Sequence, residues 1–369
     1  MTERLYYADA YLKQFDAQVV SLSGDGLRVV LNRTAFYPES GGQPADRGTL
    51  NGIAVVGLEE VGEEIVHVLE RPFEAREVVG EIDAERRRDH REQHTGQHLL
   101  SAVLAAEFQL ATVSFHMGAD YATIDLEGPA PDANTLLEIE RRANEVIREN
   151  RAVSLAYEDA STAEGLRKAS ERSGILRIVT IESLDRSALD RSACGGTHVR
   201  HTGEIGSIRL GKTEKVRQAT RLYFYCGGRA LAFTARQLRE LAASEAQARV
   251  RLAEAEKNLG KAKAELAQWR GEARYRQAEG KRWVEAVEAI SEELRLEANA
   301  FLAGAGARVL LYAAGSGAVL LGAAADTGWD CGQRLRAHGV KGGGTAQLAQ
   351  GKASGSQSWE ELQRLLLAD

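Results

Sequence analysis

Cysteine is scarce in this sequence: there are three among 369 residues, and no two form a Cys-x-x-Cys pair. This excludes a disulfide-rich secreted scaffold and is typical of thiols kept reduced, so we expect a cytoplasmic protein. Long apolar runs are also absent, as is the apolar stretch of an N-terminal signal peptide, and we expect no membrane-spanning segment. The net charge of −6 argues against a uniformly basic nucleic-acid binder, so contact with an anionic polymer would need local basic patches.

Proline is also rare, and none of the five prolines follows Pro131. The stretch from 229 to 302 is instead rich in Ala, Glu, Lys and Leu. Its apolar residues recur at alternating steps of three and four, which predicts a coiled-coil helix. A second apolar stripe that begins at Trp283, together with Gly271 and Gly280, indicates that the chain reverses there. We therefore expect a hairpin of two long helices, which serves either as a spacer or, together with the C-terminal domain, as the surface of a homodimer.

The rest of the sequence predicts three further domains, and the class of the whole chain is α+β. Residues 1–85 alternate short apolar runs with turn residues, as in a small β-barrel. Residues 86–228 mix helical and strand patterns and predict one α+β domain. Residues 303–369 predict an α/β domain with a glycine-rich loop from Gly339 to Gly351. Successive glycine N–H groups can cradle phosphate oxygens, whereas a flexible linker is the alternative interpretation.

A split pattern, His94-x-x-x-His98 and Cys194-Gly-Gly-Thr-His198, contains three imidazoles and one thiol, the ligand types that zinc prefers. Residues four apart lie on one face of a helix, so His94 and His98 can grip one ion. The two glycines after Cys194 suit a turn, since glycine tolerates positive φ. The alternatives are a chance spacing of the histidines and a buried structural thiol. We predict one zinc ion per chain, and the ion points to hydrolysis.

Several motifs resemble those of the alanyl-tRNA synthetase editing module and of its C-terminal domain, which the DHH phosphoesterases share. They are Phe36-Tyr-Pro-Glu-Ser-Gly-Gly-Gln43 with Asp46-Arg-Gly48, Gln93-His-Thr-Gly-Gln-His-Leu-Leu100, Cys194-Gly-Gly-Thr-His-Val199 and Gly342-Gly-Gly-Thr-Ala-Gln-Leu-Ala-Gln-Gly351. We expect no aminoacylation domain ahead of the barrel. The chain is therefore similar to the long form of the free-standing alanyl-tRNA editing proteins, the AlaX family.

This resemblance implies a deacylase that acts in trans on mischarged alanine tRNA. Serine is alanine plus a hydroxyl, and a pocket for alanine cannot reject glycine by size, so a second, hydrolytic site is needed. The expected main substrate is Ser-tRNA(Ala), with Gly-tRNA(Ala) second, and the bond cut is the ester to the terminal ribose. Zinc would lower the pKa of a bound water, although four protein ligands leave open whether the ion activates water or only positions the substrate.

The resemblance also implies roles for individual residues. Zinc would be held by His94, His98, Cys194 and His198. The candidate catalytic residues are Cys194, His98, Thr34, Thr95 and Gln97, and the candidate substrate-binding residues are Gly41, Gly42, Gln43, Ser114 and His116. The candidate tRNA-binding residues are Arg86, Arg87, Arg88, Lys341, Gly342, Gly343, Gly344 and Lys352. A second basic cluster, from Lys212 to Arg221, could also contact phosphates, and each arginine or lysine cluster could equally be a solvated face.

Three other interpretations stay open at this point. A zinc-dependent peptidase or amidohydrolase would need a carboxylate base, but Thr95 stands where the His-Glu-x-x-His motif has its glutamate. A nucleic-acid-binding protein with purely structural zinc is the second. The editing domain of threonyl-tRNA synthetase has similar His and Cys-His pairs, and the C-terminal glycine-rich segment argues against it.

Overall fold

The computed structural model of the chain describes residues 1–185, 187–355 and 357–368 and divides into two compact units. One unit is Met1–Leu241 and the other is Ala242–Asp369. Both contain helices and sheets, so the predicted α+β class is confirmed, while the finer division into four domains stays a prediction. None of the helices in the described ranges has the length and apolar character needed to span a lipid bilayer.

The barrel region comes first in the chain. Its elements are β1 (Glu3–Arg4), α1 (Leu5–Ala8), β2 (Gln14–Leu22), β3 (Arg28–Leu31), β4 (Arg33–Thr34), β5 (Gly48–Leu50), β6 (Ile53–Val61), β7 (Glu64–Leu69) and β8 (Glu77–Ile82). Six strands close into a barrel in the order β2-β3-β7-β6-β5-β8. Side chains alternate between interior and solvent, as in β8, where Val78 and Ile82 are buried and Glu77 and Glu81 are exposed.

The next part of the first unit contains the long helix that carries two candidate ligands. Its elements are α2 (Ala84–Phe108), β9 (Thr112–Met117), β10 (Ala122–Glu127), α3 (Ala133–Arg148), β11 (Val153–Asp159), β12 (Ile175–Glu182), β13 (Ala188–Ala193), β14 (Ile208–Val216) and β15 (Ala219–Cys226). The strands form one sheet in the order β14-β15-β10-β9 and another in the order β11-β12-β13.

Helix α2 is predicted by its sequence and positioned by its core. The Asp83 side chain caps it by accepting the N–H groups of Glu85 and Arg86, which otherwise lack partners. Leu100 and Leu104 lie in the main core of this unit, with the buried residues of β10, β15 and α3. That packing fixes the rotation of the helix. The histidines at positions 94 and 98 therefore lie on the opposite face, on the side of β13.

The second unit is built around a five-stranded sheet. Its elements, together with the long helix that begins in the first unit, are α4 (Gly227–Gln277), β16 (Arg282–Val287), α5 (Glu292–Leu302), β17 (Arg308–Ala313), β18 (Ala318–Ala323), α6 (Cys331–Ala337), β19 (Lys341–Gly344), β20 (Leu348–Lys352) and α7 (Trp359–Leu366). The strand order is β16-β17-β18-β20-β19. This sheet begins before residue 303, where the sequence predicted the last domain to start.

The predicted hairpin of two long helices is wrong in its second half. The chain forms one helix of 51 residues, α4, and then the strand β16, which pairs in parallel with β17 so that Trp283 lies beside Val309. Gly271 does not mark a reversal: it allows close packing on α5, because a Cβ there would lie 2.4 Å from the carbonyl oxygen of Glu297. Apolar side chains such as Leu259 and Trp269 stay exposed on α4, and dimerisation through this helix stays a prediction.

The glycine-rich loop is also corrected by the structure. Residues 341–344 and 348–352 form an antiparallel hairpin, β19 and β20, in which Lys341 lies opposite Lys352. The strand β19 is at the edge of its sheet, and all four of its residues are exposed. A run of glycines resembles a loop in the sequence because glycine weakens strands, but here its partner β20 supplies the ladder hydrogen bonds.

Arg87 is a structural residue and not a tRNA contact, contrary to prediction. Its side chain is 3% exposed and forms a salt bridge with the equally buried Asp46 of the barrel loop. The guanidinium also donates to the carbonyl oxygens of Ala10 and Ala35, at 3.1 and 2.6 Å. The neighbouring Arg88 side chain is 64% exposed. A run of arginines gives no signal in the sequence for which member points inward.

Replacing Arg87 by alanine should lower the free energy of unfolding by about 3–5 kcal/mol, because the Asp46 carboxylate would remain buried without its cation. The matched control is Arg88→Ala, which changes an exposed side chain and should stay within about 0.5 kcal/mol of the parent. Urea unfolding followed by circular dichroism measures both. Equal unfolding midpoints for the two variants would contradict the structural role.

Candidate metal centre

Two histidines of α2 and a turn after β13 meet at one point. His94, His98, Cys194 and His198 each offer a ligand atom, and these four atoms lie within 4.8 Å of one another. Cys194 Sγ is 3.5 Å from His94 Nε2 and 3.3 Å from His198 Nε2. The two halves of the pattern therefore converge as predicted, and the group is able to hold a metal ion.

The turn that carries Cys194 is fixed by Arg177. Its Nη1 donates to the carbonyl oxygens of Cys194 and Gly196, at 2.7 and 3.1 Å, and its main-chain oxygen accepts the Cys194 N–H at 2.9 Å. The predicted reason for the two glycines is wrong, since neither has a positive φ. Gly196 is needed for space, because a Cβ there would lie 2.1 Å from Cε1 of His94.

Each imidazole bonds through Nδ1 to a buried protein oxygen, which turns its Nε2 toward the centre. The pairs are His94 with Gln43 Oε1 at 2.8 Å, His98 with Asp190 Oδ2 at 2.8 Å, and His198 with Thr95 Oγ1 at 3.2 Å. The Asp190 carboxylate can only accept, and Gln43 Oε1 also accepts the N–H of Thr197 at 3.1 Å. In its neutral form, each of His94 and His98 therefore carries the proton on Nδ1 and has the Nε2 lone pair for a metal.

The carboxylate behind His98 is itself held on both oxygens. Arg167 Nε donates to Asp190 Oδ1 at 2.6 Å, and the Ser192 hydroxyl donates to Oδ2 at 3.0 Å. Asp190 is buried, so it stays charged because these partners surround it. Burial by itself would raise the pKa of Asp190, but the bonds from His98 and Arg167 outweigh it and lower the pKa below its ordinary value.

The electrostatics of the centre favour a thiolate among imidazoles. Burial would raise the pKa of the Cys194 thiol, but the adjacent rings of His94 and His198 outweigh it and hold the pKa well below its usual range. Burial lowers the pKa of His198 to about 3. Burial also opposes a proton on His98, yet the bond to Asp190 raises its pKa to about 9. A metal ion that binds there must therefore displace a proton from His98.

The centre opens into a cavity of about 430 Å³. His94, His98 and Cys194 form part of its wall. The other lining comes from β1, α1 and β6, from the barrel loop between β4 and β5, from β9 and β13, and from the segment between β11 and β12. That volume is within the range of pockets that take small ligands. A group bound there would lie against three of the four candidate ligands.

The structure brings only some of the predicted substrate residues to the cavity. Gly41, Gln97 and Ser114 line it. Gln43 and Thr95 lie behind the imidazoles and orient them, which is a positioning role. The other three are not part of its lining: Gly42 accepts the Met117 N–H with its carbonyl, Thr34 is buried in the barrel region against His67 Nε2 at 2.8 Å, and His116 is exposed on β9.

The predicted basic residues also separate. Arg86 is half-buried and donates to the carbonyl oxygen of Ala45, whereas Arg88 is exposed. In the second cluster, Lys212 pairs with Glu214 and Arg221 pairs with Asp125, so part of its charge is neutralised. Within the second unit, the Lys341–Gly344 strand and Lys352 are exposed.

Sequence reasoning missed the residues that support the ligands from behind. Asp190 and Ser192 precede Cys194 by four and two positions, and strand alternation places such residues on one face. That period was available in the sequence and would have suggested Asp190 as a partner for the centre. Arg167 and Arg177 carry no comparable signal, because each reaches the site from a distant segment.

Two family models match parts of the chain. The family described as "Threonyl and Alanyl tRNA synthetase second additional domain" matches residues 176–223, which include the Cys194 turn. The family described as "tRNA synthetases class II (A)" matches residues 5–86, which cover most of the barrel region.

The curated relatives that match the chain are named as alanyl-tRNA editing proteins or as alanine–tRNA ligases. An alanyl-tRNA editing protein, Aarsd1 of Bos taurus, is 35% identical over 60% of this chain and 54% of its own length. The alanyl-tRNA editing protein AlaX-L of Pyrococcus horikoshii is 36% identical over 63% of this chain and 59% of its own length. An alanine–tRNA ligase of Pyrobaculum calidifontis is 35% identical over 96% of this chain and 43% of its own length. The chain thus spans about half the length of the curated relatives it matches, and the predicted resemblance to alanyl-tRNA editing proteins is confirmed.

Replacing Gln43 by alanine should weaken zinc binding by about 10- to 100-fold, because the His94 ring loses the acceptor that fixes its tautomer and orientation. The matched control is Gln97→Ala. Gln97 lines the cavity beside the same centre, but its side chain bonds to Ser101 and to none of the candidate ligands. Competition for zinc against a chromophoric chelator measures the affinity. If both glutamine variants bind as tightly as the parent, the positioning role of Gln43 is wrong.

Proposed function

We propose that this chain hydrolyses the aminoacyl ester of tRNA(Ala) mischarged with serine and, second, with glycine. The observation that carries the proposal is the convergence of His94, His98, Cys194 and His198 beside a cavity of about 430 Å³, which the first three of them line. The relatives named as alanyl-tRNA editing proteins support the choice of alanine tRNA.

We propose zinc as the metal that these four side chains hold. Three imidazole nitrogens and one thiolate form a donor set that suits zinc, and each imidazole has the outer partner that zinc-binding histidines usually have. The lowered pKa of Cys194 supports a thiolate ligand at neutral pH. A zinc ion bound there would act as a Lewis acid beside the ester.

The protein groups around the cavity bind and orient the substrate in this proposal. Hydrolysis adds water across the ester, so the acyl carbon gains a hydroxyl oxygen and the ribose oxygen leaves with a proton. Ser114 and Gln97 are the polar side chains of the cavity wall that we propose recognise the aminoacyl group. Gln97 Nε2 donates to Ser101 Oγ at 2.9 Å. In this proposal the other amide atom, Oε1, accepts a hydrogen bond from the serine hydroxyl of the substrate. Correct alanyl ester lacks that hydroxyl and would bind less well.

The rival functions fit the site less well. A peptidase of the His-Glu-x-x-His type needs a carboxylate between the two histidines, and Thr95 at that position bonds to His198 and to the N–H of Val199. A purely structural zinc site is usually closed by its protein ligands, whereas here three of the four candidate ligands line an open cavity. Hydrolysis of an unacylated peptide would favour the first rival, and a metal-bound protein without deacylase activity would favour the second.

For the tRNA body, we propose the exposed β19–β20 hairpin of the second unit as a phosphate contact. Lys341 and Lys352 lie opposite each other there and put two positive charges on one edge of the sheet. The glycines between 342 and 344 leave the backbone of β19 open to an approaching strand of RNA. Arg86 and Arg88 remain candidates in the first unit.

Replacing Cys194 by alanine should abolish deacylation of Ser-tRNA(Ala), because the centre loses a ligand. Loss of an outer partner alone already lowers metal affinity or activity by about 10- to 100-fold, and loss of a ligand should have a larger effect. The parent should release serine, release glycine more slowly, leave Ala-tRNA(Ala) intact, and lose activity to a chelator. Cys331→Ala removes a thiol outside this centre and should stay active. Full activity of the Cys194 variant would refute the proposal.

The double variant Lys341→Ala/Lys352→Ala should bind tRNA(Ala) more weakly and with a smaller dependence on salt. Loss of two phosphate contacts reduces the log–log salt slope by about 1.8, since each contact contributes about 0.9. Filter binding over a range of salt concentrations measures the slope. A slope unchanged from the parent would count against the hairpin as a tRNA contact.

A further inference from the structure

The cavity wall carries an excess of positive charge that the metal centre does not use. Among the described residues, four cations, Arg4, Arg167, Lys168 and Arg172, line it, against one carboxylate, Glu60. The chain as a whole has a net charge of −6, so this concentration is local and opposes the overall balance. A cavity lined by one sign of charge attracts ligands of the other sign.

Two of the four cations already have partners. Arg4 forms an ion pair with Glu60, and Arg167 forms one with Asp190 behind the centre. Lys168 and Arg172 are exposed, and within the described residues neither has a carboxylate within ion-pair distance. Their charge is therefore available to a ligand that enters the cavity.

The segment that carries these two residues is anchored on the strand that leads to Cys194. It connects β11 to β12, and its Arg167 N–H donates to the carbonyl oxygen of Arg191 at 2.8 Å. The Arg167 guanidinium reaches Asp190 at 2.6 Å and Ser192 Oγ at 3.1 Å. Arg167 thus fastens the segment to β13, and Lys168 and Arg172 border the same cavity as His94, His98 and Cys194.

We propose that Lys168 and Arg172 bind the phosphodiester groups of the single-stranded 3′ end of the RNA whose terminal ester enters the cavity. This inference rests on the proposed function, because it takes the substrate to be an aminoacyl ester on a terminal ribose. Such an ester brings its own backbone phosphates, which must lie just outside the site that takes the acyl group. Two unpaired cations at the cavity rim meet that requirement, and they would hold the ester against the centre without contacting it.

The test compares Lys168→Ala/Arg172→Ala with Lys13→Ala/Arg76→Ala. The second pair is exposed, lies in the same unit, has the same loss of two charges and does not line the cavity. Binding is measured with full-length chain and uncharged tRNA(Ala), either intact or trimmed of its three 3′ nucleotides. Hydrolysis is measured with Ser-tRNA(Ala) and with the seryl ester of adenosine, which carries no phosphate.

The cavity variant, Lys168→Ala/Arg172→Ala, should lose the tRNA(Ala) affinity that the three terminal nucleotides add. The slope of its log–log plot of affinity against salt should fall by about 1.4, since each single-strand phosphate contact contributes about 0.7. Its KM for Ser-tRNA(Ala) should rise about tenfold with kcat unchanged, while hydrolysis of seryl adenosine stays at the parent rate. The control variant should match the parent in every readout.

Two outcomes separate this inference from the proposed function. If the parent hydrolyses Ser-tRNA(Ala) but the cavity variant matches the control in KM, salt slope and binding of the 3′ end, the inference is overturned and the proposed function stands. In the other outcome, the metal-loaded parent hydrolyses neither ester, but Lys168→Ala/Arg172→Ala alone loses the tRNA(Ala) affinity that the three terminal nucleotides add. That result refutes the proposed function and supports the phosphate site.

Discussion

The central constraint on the first unit is that three imidazoles and one thiol, from two distant segments of the chain, meet at a single point. An imidazole buried away from water needs a partner on each ring nitrogen. Here Gln43, Asp190 and Thr95 take the Nδ1 atoms, so the Nε2 atoms and the Cys194 sulfur face one another. A single metal ion is able to satisfy all four at once, and bringing them together involves the barrel loop, the long helix α2 and the β11–β12–β13 sheet.

The barrel region contributes to the centre through one loop. Asp46 of this loop pairs with Arg87 of α2, and three residues earlier Gln43 bonds to His94 of the same helix. The loop is therefore joined to α2 at a buried ion pair and at a ligand. On the other side, Asp190 and Arg177 fix His98 and the Cys194 turn from the β11–β12–β13 sheet. The four candidate ligands are held from two directions, which limits their movement.

The parts that could be predicted from the sequence are those with a local period or a fixed short spacing. The four-residue step between His94 and His98 needs only a helix, and the strand alternation of the first 85 residues needs only one buried face. Trp283 could not be placed in the same way, because an apolar step of four suits a helix until the sheet partner Val309 is known. Likewise Arg87 and Arg88 differ only in the direction of their side chains, which the packing of the barrel loop decides.

The most direct test of the account is X-ray absorption at the zinc edge of the purified chain, because it reads the donor set without an activity assay. We expect one zinc ion per chain with one sulfur at about 2.3 Å and three nitrogens at about 2.0–2.1 Å, and no sulfur shell in the Cys194→Ala variant. A protein that binds no zinc, or a shell without sulfur in the parent, would contradict the central claim.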